Sequence, residues 1–320
     1  MTLIEVENLK KYFTTRRGKV HAVDDVSFGI EEGTTTGLVG ESGCGKSTLG
    51  RTIVHLLNST AGKIYFRGED VTKVNKKQLK KLREKQQFIF QDPFSSLNPR
   101  LTVSATIREP LFLSGRFNSA ELENETYRLM ETVGIEKRLK YSYPHELDGG
   151  RRQRVGIARA LALNPGFVVC DEPVSALDVS IQAQILNLLM DLQDQHGLTY
   201  LFITHNLSVV RHISDNICVM YLGQLVERCP TKDFYSNQLH PYSKALLSAV
   251  PSVDIHHKRE RIILKGEITS PINPKPGCRF VRRCWYSDEQ CLNTVGLEEV
   301  LPGHFVACCK AREINNITVS

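Results

Sequence analysis

Four short strand-like stretches each hold an uninterrupted apolar segment: "TTTGLVG" from Thr34, "QQFIFQ" from Gln86, "GFVVCDE" from Gly166 and "TYLFITH" from Thr199. Continuous apolar runs of this length, rather than alternating ones, predict strands buried on both faces of a mainly parallel sheet. Helical periodicity follows Gly45 and Gly150 and runs again from Val179 to about His196. Together these predict an α/β core. Residues 92–165 hold no comparable strand but carry a helical pattern around Ala120–Val133, so they read as a mostly helical insertion. "NICVMYLGQLVERC", after Asp215, reads as a hairpin with Gly223 at its turn. Beyond Val250 the chain turns proline-rich, in "PSVD" and then "SPINPKPGC". A boundary near Pro251 divides a domain of residues 1–250 from an extension of residues 251–320. No internal repeat is visible.

Composition changes this picture little. The 320 residues are 41% hydrophobic and 24% charged, ordinary globular values, and the net charge of +6 is modest. The basic run Lys76-Lys77-Gln78-Leu79-Lys80-Lys81 reads as a solvated helix face, not a nucleic-acid track. No apolar run approaches the roughly 18 residues that span a bilayer. "MTLIEVENLKKYF" has no apolar segment ahead of a small-residue cleavage site, so no signal peptide is expected. The chain is expected in the cytoplasm, with any membrane role supplied by a partner.

The first chemistry lies between the first strand and the first helix. "GESGCGKST" comprises Gly40, Glu41, Ser42, Gly43, Cys44, Gly45, Lys46, Ser47 and Thr48, and it matches G-x-x-x-x-G-K-[ST] in the strand–helix context that the motif requires. Its glycines let backbone N–H groups fold around a β-phosphate. Lys46 can reach the β- and γ-phosphates, and the Ser47 hydroxyl can ligate Mg²⁺. A nucleoside triphosphate, with Mg²⁺, is the expected ligand. "FVVCDEP" places two carboxylates at a strand end, Asp171 for the metal and Glu172 to polarise a water as general base.

A glycine pair, Gly149 and Gly150, opens the helix in "ELDGGRRQRVGIARAL", and "SALD" and "LFITHN" follow Glu172. With the phosphate loop, these motifs in this order resemble an ABC transporter ATPase subunit over about residues 3–250. The resemblance implies a P-loop NTPase core with a helical signature subdomain at about 92–165. It implies a dimer in which each ATP lies between one subunit's phosphate loop and the other's signature motif. By position, Tyr12 would stack on adenine, and Gln91 would sense Mg²⁺ and the attacking water. Ser175 to Asp178 would face the dimer partner, and His205 would contact the γ-phosphate.

The family signature reads Leu-Ser-Gly-Gly-Gln, whereas this chain has Leu147, Asp148, Gly149, Gly150 and Arg151. Asp148 removes the serine's hydrogen-bond donor and adds a charge of the same sign as the phosphate. At ~4 Å and an effective dielectric of about 20, such a pair costs roughly 4 kcal/mol. Felt wholly in the transition state, that is about a thousandfold in rate. The alternative is an Asp148 turned aside onto Arg151 or Arg152. The first reading is adopted: the composite site that Asp148 completes is weak.

Four of the nine cysteines are scattered (Cys44, Cys170, Cys218 and Cys229), and the other five lie beyond residue 277. In a reducing compartment such a cluster points to metal rather than disulfides. Its spacing, C-x₅-C-x₆-C-x₁₆-C over Cys278, Cys284, Cys291 and Cys308, lacks the close pairs of structural zinc sites. It suits an iron–sulfur cluster at least as well, with zinc or reduced thiols as alternatives. "SPINPKPGCRFVRRC" and "LPGHFVAC" resemble the tail of the oligopeptide/dipeptide subfamily of ABC ATPases, some of which hold a four-iron (4Fe–4S) cluster. Trp285 stands where that subfamily usually has proline, and Cys309 where it often has histidine. Cys308 is therefore taken as the fourth ligand, with Cys309 a possible substitute.

The resemblance implies an ATPase that powers import of di- or oligopeptides. It would sit on the cytoplasmic face of the membrane with a paralogous ATPase, two permease subunits and an extracellular peptide-binding protein. A nickel-importer ATPase is the first alternative. An ABC ATPase acting on nucleic acid or ribosomes is the second, disfavoured because the chain has one cassette and a compact insertion; no nucleic-acid partner is expected.

Overall fold

In the computed structural model, which describes residues 1–250, 260–264, 266 and 270–317, each apolar run is a strand. The chain opens with β1 (Thr2–Thr15), β2 (Gly18–Glu31), β3 (Thr35–Val39), α1 (Lys46–Ile53), β4 (Ala61–Phe66) and β5 (Glu69–Asp70). It continues through α2 (Lys76–Lys85), β6 (Gln86–Ile89), α3 (Pro93–Ser96), α4 (Val103–Ser114), α5 (Ser119–Thr132), α6 (Gly149–Leu161), β7 (Phe167–Asp171) and α7 (Val179–His196). Then come β8 (Thr199–Thr204), α8 (Leu207–Ile213), β9 (Asn216–Tyr221), β10 (Gln224–Pro230), α9 (Thr231–Ser236) and α10 (Pro241–Ser248). The C-terminal elements are β11 (Glu298–Leu301), β12 (His304–Val306) and α11 (Ala311–Ile314).

Two compact units divide the chain, Met1–Lys73 with Phe202–Ser320, and Val74–Leu201. The boundary expected near Pro251 lies outside the described residues. Within the first unit, β2, β1, β4 and β5 form an antiparallel sheet that the hydrophobic pattern did not reveal. Its longest pair, β1 with β2, shifts register between Val6 and Leu9 and again between Leu9 and Lys11, so buried positions change parity along the strand. A period of two does not survive such shifts. The same unit carries the order β11–β12–β10–β9–β3, in which β3 pairs parallel to β9 while β9, β10, β12 and β11 are antiparallel. β3 is buried at every position, as its unbroken apolar run requires. In the second unit β6 and β7 pair in parallel from Gln86↔Phe167 to Ile89↔Cys170. α6 packs there against α3, α4, α5 and α7. Residues 92–165 are helical, with no strand among them.

The C-terminal extension is built into the first unit. Phe280 is 1% exposed and joins the cluster of Val39, Val210, Val219, Tyr221, Phe234 and Tyr242. Its ring meets Tyr221 edge-on at 5.3 Å and Tyr242 at 5.4 Å. Such pairs add about 0.5–1.5 kcal/mol each to their area burial. β12 extends the sheet beside β10, pairing Val306 with Glu227 and Phe305 with Arg228. Glu227, fully buried, accepts Leu239 N–H at 2.8 Å and His240 N–H at 3.0 Å, and lies 2.7 Å from His304 Nε2. Ligand atoms of Glu227, Cys229 and His304 fall within 4.8 Å of one another. These hydrogen bonds account for the Glu227 carboxylate, because each of its oxygens already has a donor.

His240, 1% exposed, caps α10: its Nδ1 accepts Tyr242 N–H at 3.1 Å. Burial pulls its pKa down to about 4, against a smaller opposing pull from Glu227. Between pH 6.5 and 4 the unfolded chain therefore binds more protons than the folded one, and stability falls as pH falls. From pH 7 to pH 5 this one group should cost about 2 kcal/mol. Urea unfolding of wild type and His240→Asn at both pH values checks it, since asparagine caps without titrating. Equal losses in the two proteins would remove the assignment.

Candidate functional site

The candidate residues fall into groups, each within one unit. In the first, the phosphate loop joins β3 to α1. Its outer glycines are forced by close backbone approach. A Cβ on Gly40 would lie 2.1 Å from the Met220 carbonyl oxygen, and one on Gly45, at φ +109°, would lie 2.0 Å from that of Ala22. Lys46 is 5% exposed, and its ammonium donates to the carbonyls of Gly40 at 2.8 Å and Glu41 at 3.0 Å. The lysine thus ties the loop's own carbonyls together. Cys44 is buried, its thiol pKa raised by that burial, and its carbonyl accepts Gly223 N–H at 2.8 Å. The Ser47 side chain is part-buried at the start of α1.

Tyr12 lies on β1 opposite His21 of β2, their rings stacked at 4.0 Å. The Tyr12 hydroxyl donates to the Asp24 carboxylate, and His21 Nδ1 lies 3.2 Å from the same carboxylate. Burial, and then the bond to Asp24, push the tyrosine's pKa upward. Against its own burial, hydrogen bonds from Tyr12 and His21 hold Asp24 below the ordinary carboxylate range. His205 follows β8 and is exposed, and Asn206 caps α8 by accepting Ser208 N–H at 3.0 Å.

In the second unit β7 delivers Asp171, fully buried, and then Glu172 at φ 45°, a left-handed conformation costly for a glutamate. Gln91 Nε2 donates to Glu172 Oε2 at 3.0 Å, so the structure brings these two predicted residues together. Ser175 Oγ donates to the Glu172 carbonyl at 3.1 Å, and Asp178 precedes α7. The glycine pair of the signature allows close packing. A Cβ on Gly149 would meet Leu177 Cδ2 at 2.9 Å, and one on Gly150 would meet Ile181 Cγ2 at 2.7 Å. Leu147 is buried beside them. Asp148 is the N-cap of α6: Oδ1 accepts Arg151 N–H at 2.7 Å, and Oδ2 lies 3.2 Å from the Arg151 guanidinium. The carboxylate is thus turned onto Arg151, the alternative that the sequence left open. Its charge is partly compensated, and the 4 kcal/mol repulsion is an overestimate.

The C-terminal cysteines converge. Cys278, Cys284, Cys291, Cys308 and Cys309 line one cavity of about 250 Å³. Cys291 Sγ lies 3.8 Å from Cys309 Sγ, and Cys278 N–H donates to the Cys291 carbonyl at 2.9 Å. Gly277, at φ +99°, permits this turn, since a Cβ there would stand 2.6 Å from the Leu292 carbonyl oxygen. Burial raises the thiol pKa of Cys278 to about 11, and burial with the Cys291 sulfur raises Cys309 to about 12. Thiols gathered in one cavity are soft donors of the kind a thiophilic metal takes. All four predicted cysteines, Cys278, Cys284, Cys291 and Cys308, line the cavity, and Cys309 lines it with them.

Residues 23–175 match the family described as ABC transporter. Residues 226–291 match the oligopeptide/dipeptide transporter C-terminal region. The oligopeptide transport ATP-binding protein AppF of Bacillus subtilis (strain 168) is 49% identical over 318 residues, covering 96% of this chain and 97% of that protein. The chain belongs to the ABC transporter family. The dipeptide transport ATP-binding protein DppF of Haemophilus influenzae is 47% identical over 314 residues, with 96% of each chain covered. Among solved structures, the ATP-binding cassette MJ0796, a dimer in a post-hydrolysis state bound to ADP and Pi, aligns with a TM-score of 0.66 at 29% identity. That alignment covers 72% of this ABC transporter family member and 99% of MJ0796.

Sequence reading missed the partners that lock these groups in place: His21 and Asp24 around Tyr12, and Tyr242, whose hydroxyl accepts Glu41 N–H at 2.9 Å. None carries a local signal: His21 and Asp24 meet Tyr12 only once β1 pairs with β2, and Tyr242 lies 201 positions from Glu41. For the ABC transporter phosphate loop, Gly45→Ala should lower unfolding free energy by at least about 2 kcal/mol, combining positive φ and a backbone clash. A urea midpoint equal to that of wild type would show that the loop is not wedged.

Proposed function

We propose that this chain is the ATP-hydrolysing subunit of an importer of di- and oligopeptides. The observation that carries the reading is a phosphate loop and an oligopeptide/dipeptide C-terminal region on one chain, with 49% identity to an oligopeptide transport ATP-binding protein along nearly its whole length. Backbone N–H groups of Gly40 to Thr48 and the Lys46 ammonium take the phosphates. Tyr12 offers its ring to the adenine, and His205 takes the γ-phosphate. Ser47, Gln91 and Asp171 serve Mg²⁺, which when bound screens the phosphate charge. Glu172 withdraws a proton from the attacking water, and the 3.0 Å bond from Gln91 orients its carboxylate.

Among the described residues no helix is long and apolar enough to cross a membrane, so transport needs membrane-spanning partners. Two permease subunits, an extracellular peptide-binding protein and a paralogous ATPase complete the machine, with this chain on the cytoplasmic face. The signature Leu147 to Arg151 and the loop Ser175 to Asp178 face the paralogue. A serine at position 148 would cap α6 as Asp148 does and keep a hydroxyl proton to donate. An ionised aspartate is acceptor-only. The composite site that Asp148 completes is thus the weaker one, through a missing donor more than through repulsion.

Glu172→Gln should cut ATP turnover by about a hundredfold or more while MgATP binding persists. Asp148→Ser in the isolated chain should raise turnover at least about tenfold, the worth of a donor to a charged group. Steady-state phosphate release measures both. An unchanged rate in Asp148→Ser would end the asymmetry reading, and an unchanged rate in Glu172→Gln would end the base assignment.

The cysteine cavity is proposed to hold a four-iron cluster on Cys278, Cys284 and Cys291, with Cys308 or Cys309 completing the set. Anaerobically purified protein should contain iron and acid-labile sulfide, and Cys284→Ser should lose both. Single Cys308→Ser and Cys309→Ser proteins identify the fourth ligand by which one loses iron. Zinc without sulfide, or no metal, would overturn the assignment.

A further inference from the structure

The C-terminal segment reaches the nucleotide-binding residues of its own unit at three points. Ile272 forms a bridge to Val20 of β2, and Pro271 accepts His21 N–H at 3.0 Å. Asn273 exchanges two hydrogen bonds with Lys19, each 2.9 Å. The tail is thereby laid along the strand that faces Tyr12. Next, the Arg279 guanidinium, 9% exposed, pairs with Asp24, the carboxylate that also holds the Tyr12 hydroxyl. Last, Arg283, also 9% exposed, grips Glu41 of the phosphate loop with both terminal nitrogens. Nη1 lies 3.1 and 2.9 Å from the two carboxylate oxygens, and Nη2 lies 3.2 Å from one of them. The buried Phe280 between them anchors this stretch in the core.

A carboxylate on a loop that receives a polyphosphate is an electrostatic liability. Paired with a guanidinium in two-point contact, it becomes a nearly neutral and rigid unit. We propose that Arg283 and Arg279 are positioning residues of the nucleotide site: Arg283 neutralises and fixes Glu41 on the phosphate loop, and Arg279 fixes Asp24 and through it Tyr12. The C-terminal extension then sets the affinity of the cassette for a nucleoside triphosphate. This rests on the ATP reading given above.

The test is equilibrium binding of MgATP to the full chain, with thermal unfolding of each variant as the check on folding. Arg283→Gln should weaken binding about tenfold, because it leaves the Glu41 carboxylate uncompensated beside the phosphates. Adding Glu41→Gln to Arg283→Gln should bring affinity back to within about threefold of wild type, a rescue that a merely structural role for Arg283 would not give. Arg283→Lys, which keeps the charge, should lose less than Arg283→Gln and serves if the glutamine variant does not fold. Arg279→Gln should weaken MgATP binding about threefold, with no rescue from Glu41→Gln. Wild-type affinity in Arg283→Gln overturns the proposal, as does an equal loss in the double variant. A wild-type chain that binds no MgATP overturns the nucleotide reading itself, and this inference with it.

Discussion

The phosphate loop is squeezed by neighbouring backbone, and much of the first unit is arranged around that squeeze. The Ala22 carbonyl on one side and the Met220 carbonyl on the other leave no room for a side chain at Gly45 or Gly40. Ala22 belongs to β2, Met220 to β9, and the turn after β9 returns Gly223 N–H to the Cys44 carbonyl and the Gly223 carbonyl to Asp24 N–H. Lys46 completes the closure from inside by bonding the loop's own carbonyls. Preorganisation of this kind removes loop-ordering entropy from the cost of binding any ligand there.

The same economy of groups appears at the signature. Asp148 satisfies an orphan N–H at the start of α6 and lies against the following arginine, so one carboxylate serves the helix and its macrodipole. What it cannot supply is a proton. An aspartate at this position keeps the helix cap that a serine would make.

The cysteine-rich tail belongs physically to the cassette. Phe280 enters the core, β12 pairs with β10, and Glu227 gathers donors from α10's N-terminus and from His304. Arg279 and Arg283 are the chain neighbours of Cys278 and Cys284, so the loop that shapes the thiol cavity also carries the two guanidiniums that reach Asp24 and Glu41.

By itself the sequence determined the parts whose information is local: the four buried strands, the three helices after Gly45, Gly150 and Asp178, the hairpin at Gly223 and the phosphate loop. Each depends on periodicity or on backbone freedom within a dozen residues, and each appears where the pattern put it. Asp171 and Glu172 were legible because a strand end presents its last residues. The antiparallel sheet of β1, β2, β4 and β5 was not, because register shifts scramble the alternation that would announce it. Nor could the sequence choose between the two orientations of Asp148, since a capping aspartate and a ligand-facing one are spelled alike. The folded chain decided that choice through a local contact, Asp148 with Arg151, and decided the approach of Gln91 to Glu172 and the pairing of Arg283 with Glu41 through tertiary ones. Those contacts join residues 81 and 242 positions apart. The first is an exposed amide–carboxylate hydrogen bond and the second a part-buried charge pair, and both exist only once the chain has closed.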